Sequence, residues 1–282
     1  MKNVKLIYFS GTGNTYLVMR MMQARFEMKG FNVVLEKISD GNRSGENQSD
    51  EFKSKQNSSD QYSSDKNSSL SSSIDYEFVG IVFPVAVQST FPNVWTFVNQ
   101  MPNGNGQKIF MADTMESYSG GVVGPMKQLL QSKGYKCIGA MEFKMPTSMQ
   151  MSQKKVEQGI LKSEKVQEEV EAYVDALIAG NTKWRRVPIF SDWMRAISKG
   201  KKIWGQMASK LSVSADKCIE CQLCVSHCPV QALSSVPELK IAIDTTKCIS
   251  CMRCVNYCPK NAFTLNGKTL YQKKNARLKD FS

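Results

Sequence analysis

The chain has 282 residues, with 37 Lys and Arg against 25 Asp and Glu, and a formal net charge of +12. That length suits about two domains, and since no run of ~18 apolar residues occurs, a membrane-spanning helix is excluded. A positive balance of this size attracts nucleic acid, an anionic membrane surface or an acidic protein, or else forms a merely solvated surface.

Asn3 to Phe9 is a short apolar run that predicts a buried strand, and it empties into Ser10-Gly11-Thr12-Gly13-Asn14-Thr15. From Tyr16 a helical pattern begins and ends near Gly30. Strand, loop and helix in this order form a phosphate-binding arrangement. A nucleoside-triphosphate loop would end in Gly-Lys-Ser/Thr, and Asn14-Thr15 stand there instead. A dinucleotide fingerprint needs a third small residue, and Tyr16 fills that place. What remains is a nest of hydroxyls, Ser10, Thr12 and Thr15, with the backbone N–H groups of Gly13 and Asn14 at a helix start. Such a nest neutralises a phosphate monoester through hydrogen bonds and the helix dipole, without a cationic side chain. A glycine-rich turn without ligand is the alternative. The motif SGTGNT resembles the flavodoxin phosphate loop, and that resemblance implies FMN.

A second strand is expected over 32–38, after which residues 41–73 are Ser, Asn, Gln, Asp and Lys with almost no apolar residue. Such a stretch is too polar to offset the entropy of ordering, and it is expected to be a disordered insertion. Residues 76–83 predict strand three, and 84–92 its exit loop. In the flavodoxin-like order 2-1-3-4-5 the cofactor lies where the exits of strands one and three diverge. Pro84, Val85, Ala86 and Val87 are therefore expected beside the flavin ring, and Val85 and Val87, standing where flavodoxins often stack an aromatic, leave it less shielded. A helix over 93–100 leads to strand four, 108–113, whose exit loop offers Thr114, Tyr118, Ser119, Gly120 and Gly121 as a second flavin loop, with Tyr118 as the stacking candidate. A helix over 122–133, strand five over 135–143 and a charged helix over 153–179 with Val156, Ile160, Val166, Val170, Tyr173, Val174 and Leu177 as its buried stripe complete the pattern. Cys137, in strand five, reads as a small buried hydrophobe. Residues 1–180 thus resemble a flavodoxin-like FMN-binding domain, α/β with a doubly wound parallel sheet.

Residues 181–215 form a basic connector carrying Trp184, Trp193 and Trp204, which are expected to pack between domains. Contact of 183–211 with a membrane surface is the lesser alternative. Beyond it one phrase is written twice. Cys218, Cys221, Cys224 and Cys228 precede Pro229, and Cys248, Cys251, Cys254 and Cys258 precede Pro259; each copy reads CxxCxxCxxxCP. Three thiolates at this pitch suit a tight loop around an iron-sulfur cube. They would crowd a single zinc ion, and a disulfide framework is not expected, because the start MKNVKLIYFSGTGN reads as lacking a signal peptide and the protein as cytoplasmic and reducing. His227, inside the first run, reads as an exposed spacer. A basic tail, 266–282, closes the chain.

Residues 216–265 resemble a bacterial two-cluster 4Fe-4S ferredoxin, a second, smaller α+β domain whose fold must lean on its clusters and is expected to be lost without iron. The resemblance implies two 4Fe-4S clusters, with the fourth cysteine of each run serving the other cluster. Cys218, Cys221, Cys224 and Cys258 are then assigned to one, and Cys248, Cys251, Cys254 and Cys228 to the other. Ferredoxins often carry glycine after the second cysteine, where this chain has Gln222 and Met252. The whole layout resembles the flavodoxin-ferredoxin fusions of anaerobic prokaryotes, and implies an electron-transfer flavo-iron-sulfur protein, an oxidoreductase component passing electrons between clusters and FMN and exchanging them with an acidic redox protein rather than nucleic acid. An FMN-dependent reductase of a small molecule, fed by its own ferredoxin domain, is one alternative; a flavodoxin-shaped scaffold without FMN, binding a partner through its basic face, is the other.

Overall fold

The computed structural model describes residues 2–38, 75–116, 121–148, 153–184, 201–270 and 272, with side chains left out for 153–164 and 201–203. The expected disordered insertion, Trp193 and nearly all of the basic tail lie outside the described residues.

The N-terminal half is a parallel sheet between two helical layers. Its strands are β1 (Lys2–Tyr8), β2 (Phe31–Lys37), β3 (Tyr76–Ala86), β5 (Lys108–Met115) and β6 (Lys136–Lys144). They pair in the order β2-β1-β3-β5-β6, every pair parallel. Counting only these five, the order is 2-1-3-4-5, the flavodoxin-like one. A two-residue strand, β4 (Ser89–Thr90), folds back antiparallel on the end of β3. The middle strands are buried on both faces, which is why they read as continuous apolar runs rather than alternating ones.

Helices α1 (Asn14–Met28) and α4 (Gln153–Ile178) cover one face, where Val18, Met22, Phe26, Val170, Tyr173 and Val174 pack on Leu6, Val82, Phe110 and Phe143. Helices α2 (Pro92–Gln100) and α3 (Val123–Ser132) cover the other, over Ile7, Phe9, Ile81, Phe83, Ile109 and Met111. Four of the seven residues expected as the buried stripe of α4 (Val166, Val170, Tyr173 and Val174) and a fifth, Leu177, are buried; the side chains of Val156 and Ile160 lie outside the described residues. Cys137 is half-buried at the edge of the second core, its Sγ 3.9 Å from the Lys127 carbonyl, and burial pushes its thiol up to about 11.

The second core does not stop at the sheet. Trp184 and Trp204, from the connector, and Ile249, from the second cysteine run, are buried in it. Trp184 donates its indole N–H to the Val123 carbonyl at 2.9 Å, and Trp204, on helix α5 (Lys201–Ala208), stacks near Phe91 with ring centroids 5.3 Å apart. Two of the connector's three tryptophans, Trp184 and Trp204, are thus buried in a core that also holds Ile249 of the second cysteine run.

The C-terminal unit holds β7 (Leu211–Val213), α6 (Leu223–Ser226), β8 (Leu233–Val236), β9 (Lys240–Ile243), α7 (Arg253–Tyr257), β10 (Phe263–Leu265) and β11 (Lys268–Thr269). Its strands form two small antiparallel sheets, β11-β10-β7 and β8-β9. Residues 211–213, assigned to the connector on composition, pair with β10 and so belong to this unit. Seven buried side chains, Leu211, Leu233, Ile241, Met252, Val255, Phe263 and Leu270, make its core, and six of the repeat's cysteines pack against them.

Candidate functional site

The hydroxyl loop leaves β1 and turns into α1 through Gly13, whose φ of 108° lies in the left-handed region that a side chain disfavours. The N-cap residue Gly13 offers no side-chain cap and no acidic residue stands in the first turn of α1, so no negative charge offsets its positive end. Ser10 organises the turn from within, its Oγ accepting the N–H groups of Gly13 at 3.2 Å and Tyr16 at 3.3 Å. The other hydroxyls meet partners across the loop. Thr12 Oγ1 lies 2.6 Å from Ser148 Oγ, and Thr15 Oγ1 lies 2.7 Å from Thr114 Oγ1. Asn14 Nδ2 donates to the Pro146 carbonyl at 2.6 Å.

These residues open onto a cleft of about 230 Å³ with one side toward solvent. Ser10, Thr12, Asn14 and Thr15 line it, as do Pro84, Val85, Ala86, Val87 and Thr114. Gly13 and Gly121 do not; Gly121 is tied instead by its N–H to the Gln88 carbonyl at 2.7 Å. Tyr118, Ser119 and Gly120 lie outside the described residues. The residues 84–86 are not loop but the last turnless stretch of β3, and the bend falls at Val87 and Gln88, whose φ values are 51° and 60°. Phe91, Trp204 and Met207 also line the cleft. Aromatic side chains absent at 85–87 thus reach the cleft from the residue before α2 and from the connector.

The residues present fit a phosphate monoester. A pair of hydroxyls has two O–H hydrogens, and the bond between them uses one. The Thr12–Ser148 and Thr15–Thr114 pairs therefore each retain one O–H for an anion. The cleft is below the ~300 Å³ usual for sites that enclose a whole ligand, and one side of it is open to solvent.

The two cysteine runs fold alike. In each, the residue after the second cysteine is left-handed, Gln222 at φ 57° and Met252 at φ 59°, and so are Glu220 and Ser250 two positions earlier. In each, the alanine that closes the run donates its N–H to the sulfur of the fourth cysteine: Ala232 to Cys228 and Ala262 to Cys258, both at 3.3 Å. The thiols fall into two neighbourhoods. Cys224 is pushed up to about 11, by burial and then by Cys258 and Cys218 nearby. Cys251 is pushed up to about 11 by burial, with the Arg253 charge opposing and Cys228 and Cys248 reinforcing. Cys254 is held well above the usual thiol range, by burial and then by Cys251, Cys248 and Cys228, with Cys224 of the other neighbourhood also adding. Among the described residues no three His, Cys, Asp or Glu side chains converge as on a single ion; in a cube each thiolate takes its own iron. Cys221 is exposed, whereas the second run faces the sheet domain.

That contact is the feature sequence reasoning missed. Ser250, Cys251 and Met252 line the same cleft as the hydroxyl loop. Gly11 stands so close to the Cys251 carbonyl that a Cβ there would clash with it. Arg253, 5% exposed, donates to the Ser10 and Gly11 carbonyls. His227, expected as an exposed spacer, is half-buried, with Nδ1 3.1 Å from the Leu223 carbonyl and its own carbonyl accepting from Arg253.

Residues 210–259 match the family described as a 4Fe-4S dicluster domain. The chain therefore carries a 4Fe-4S dicluster segment. Ahead of it stands a doubly wound parallel sheet of flavodoxin-like strand order. Among solved structures, the chain is similar to a short-chain flavodoxin associated with a bacterial microcompartment, at 11% identity, over 64% of this chain and 100% of that one, TM-score 0.40. It is also similar to the two-electron-reduced flavodoxin of Megasphaera elsdenii, at 17% identity over 60% and 98%, TM-score 0.36. A third is a flavo di-iron protein variant of Thermotoga maritima, at 15% identity over 63% of this chain and 35% of that one, TM-score 0.40. The assignment of the fold rests on the strand order, not on these scores. No curated protein matches the chain. Among the described residues, no helix is long and apolar enough to cross a membrane.

Proposed function

We propose that this chain is an electron-transfer flavo-iron-sulfur protein. It holds FMN in the cleft beside the hydroxyl loop and two 4Fe-4S clusters in the cysteine runs, and it exchanges electrons with a redox protein partner. The observation that carries the reading is the shared cleft, whose wall contains Ser10, Gly11, Thr12, Asn14 and Thr15 together with Cys251. Clusters pass single electrons while a flavin stores two, and a protein that joins them converts between the two modes.

The chain's own residues supply binding and placement. Thr12 and Thr15, paired with Ser148 and Thr114, offer hydroxyl donors to the phosphate, and the start of α1, with no acidic residue in its first turn, adds its positive end. Phe91, Trp204 and the Val85 to Val87 wall exclude water from the flavin side. Cys248, Cys251, Cys254 and Cys228 are assigned to the cluster next to the cleft, and Cys218, Cys221, Cys224 and Cys258 to the other. The exposed edge at Cys221 gives the partner its point of approach, and the basic balance of the chain favours an acidic one.

Anaerobic reconstitution with iron, sulfide and FMN tests the reading. Bound FMN in a one-to-one ratio and eight irons per chain are expected on the basis of two four-iron clusters; a protein that takes up iron but no flavin would refute it. Cys258→Ser is expected to weaken the cluster remote from the cleft and spare the one beside it, read by paramagnetic resonance of the reduced protein. Loss of the near cluster alone would reverse the assignment.

A further inference from the structure

The hydroxyl loop turns its carbonyl groups toward α7. Arg253 donates from Nη2 to the Ser10 carbonyl and from Nε to the Gly11 carbonyl at 3.4 Å. Tyr257 donates its hydroxyl to the Thr12 carbonyl at 3.3 Å. Arg253 and Tyr257 stand four residues apart on one short helix, on the same face, so three successive carbonyls of the loop are held by two side chains of the second cysteine run. Asn256, between them, donates to the Ser148 carbonyl at 3.3 Å, and the Ser148 hydroxyl is the partner of Thr12. Because a peptide unit is planar and trans, its N–H points opposite its C=O. Fixing the carbonyls of residues 10, 11 and 12 therefore fixes the N–H groups of residues 11, 12 and 13. The guanidinium also donates from Nη1 to the His227 carbonyl at 3.1 Å, beside Cys228. A single buried cation thus ties the loop to both cysteine runs.

We propose that Arg253 and Tyr257 are specificity-determining positioning residues, which set the hydroxyl loop for a phosphate monoester and make flavin recognition depend on the cysteine runs. The inference rests on the FMN reading above and adds that the selectivity for a phosphorylated flavin is held by the other domain. Nothing in the hydroxyl loop itself distinguishes this from a self-sufficient phosphate nest; the contacts of α7 do.

The test is an anaerobic fluorescence titration of FMN and of riboflavin, which lacks the phosphate, into the full-length, cluster-loaded chain. Arg253→Gln and Tyr257→Phe are compared with the wild type at equal iron content. Arg253→Gln is expected to weaken FMN by about tenfold while leaving riboflavin within about twofold, the scale of losing one charge-assisted hydrogen bond at the phosphate loop. Equal weakening of both flavins would overturn the inference, because a plain brace between domains moves the whole cleft wall. Unchanged FMN binding would overturn it too. Should Arg253→Gln fail to load iron, Tyr257→Phe decides alone: it removes one hydroxyl, and an unchanged preference for FMN over riboflavin refutes the inference. A wild-type chain that binds neither flavin overturns this inference together with the cofactor reading, whereas variants that keep the wild-type preference overturn the inference alone.

Discussion

Gln222 and Met252 occupy the same place in the two cysteine runs and the same left-handed backbone region, which costs a non-glycine residue about 1–2 kcal/mol. Their surroundings differ. Gln222 is exposed, whereas Met252 is 3% exposed and part of the small domain's core. Gln222→Gly is therefore expected to raise the stability of the cluster-loaded protein, by up to about 1 kcal/mol. Met252→Gly relieves the same backbone but removes a core side chain worth about 2–5 kcal/mol, and a net loss is expected. Chemical denaturation of the two variants checks the opposite signs. At Asp113 the physics is of another kind. The side chain is fully buried on β5, neither oxygen has a hydrogen-bond partner among the described residues, and burial, reinforced by Glu142, holds the carboxyl well above its usual range. A carboxyl whose folded value is raised stabilises the fold fully only below its unfolded value, near 3.9, and that contribution is lost as pH rises above it. Asp113→Asn is thus expected to raise the melting temperature at neutral pH and to leave it nearly unchanged near pH 3; equal shifts at both would refute this account.

At the scale of elements, the order of strands and helices was legible because the sheet is parallel and buried. Runs such as Leu6 to Phe9 and Val79 to Phe83 have no polar alternation, and the glycines at 30 and 134 punctuate the helices. Limits were less legible. Pro84 ended the predicted strand, yet β3 continues to Ala86, because the last two residues pair with β4 and no ladder donor is demanded of the proline there. The eight cysteines were legible from spacing alone. Arg253, Trp204 and the loop 145–148 were not, since each reaches the cleft from a distant stretch, Arg253 across 243 residues to Ser10, and no local pattern encodes such a meeting. Gly11 belongs to the same class. In the sequence it reads as part of a phosphate nest, and in the fold it makes room for Cys251. Gly11→Ala forces the second cysteine run away from the loop. It is expected to lower FMN affinity and to slow electron exchange between cluster and flavin while leaving iron content intact, as measured by iron assay and flavin fluorescence on the same sample.

For the molecule as a whole, the two halves share a core rather than a tether. Ile249 and Trp204 are buried with Phe91 and Val94 of the sheet domain, and six cysteines pack on a C-terminal core of seven buried side chains among the described residues. A core that small depends on its clusters for stability. Chelation of iron is expected to unfold the C-terminal unit and, through the loss of the α7 contacts, to release FMN; circular dichroism and flavin fluorescence recorded together would show whether the two events coincide. The most direct measurement of the central claim, that the second cysteine run and the hydroxyl loop form one site in one chain, is stopped-flow reduction of the fully loaded protein by a one-electron donor. The account expects bleaching of the clusters to be followed by flavin reduction at a rate independent of protein concentration. A flavin rate that rises in proportion to protein concentration, or a flavin that stays oxidised while the clusters are reduced, would contradict it.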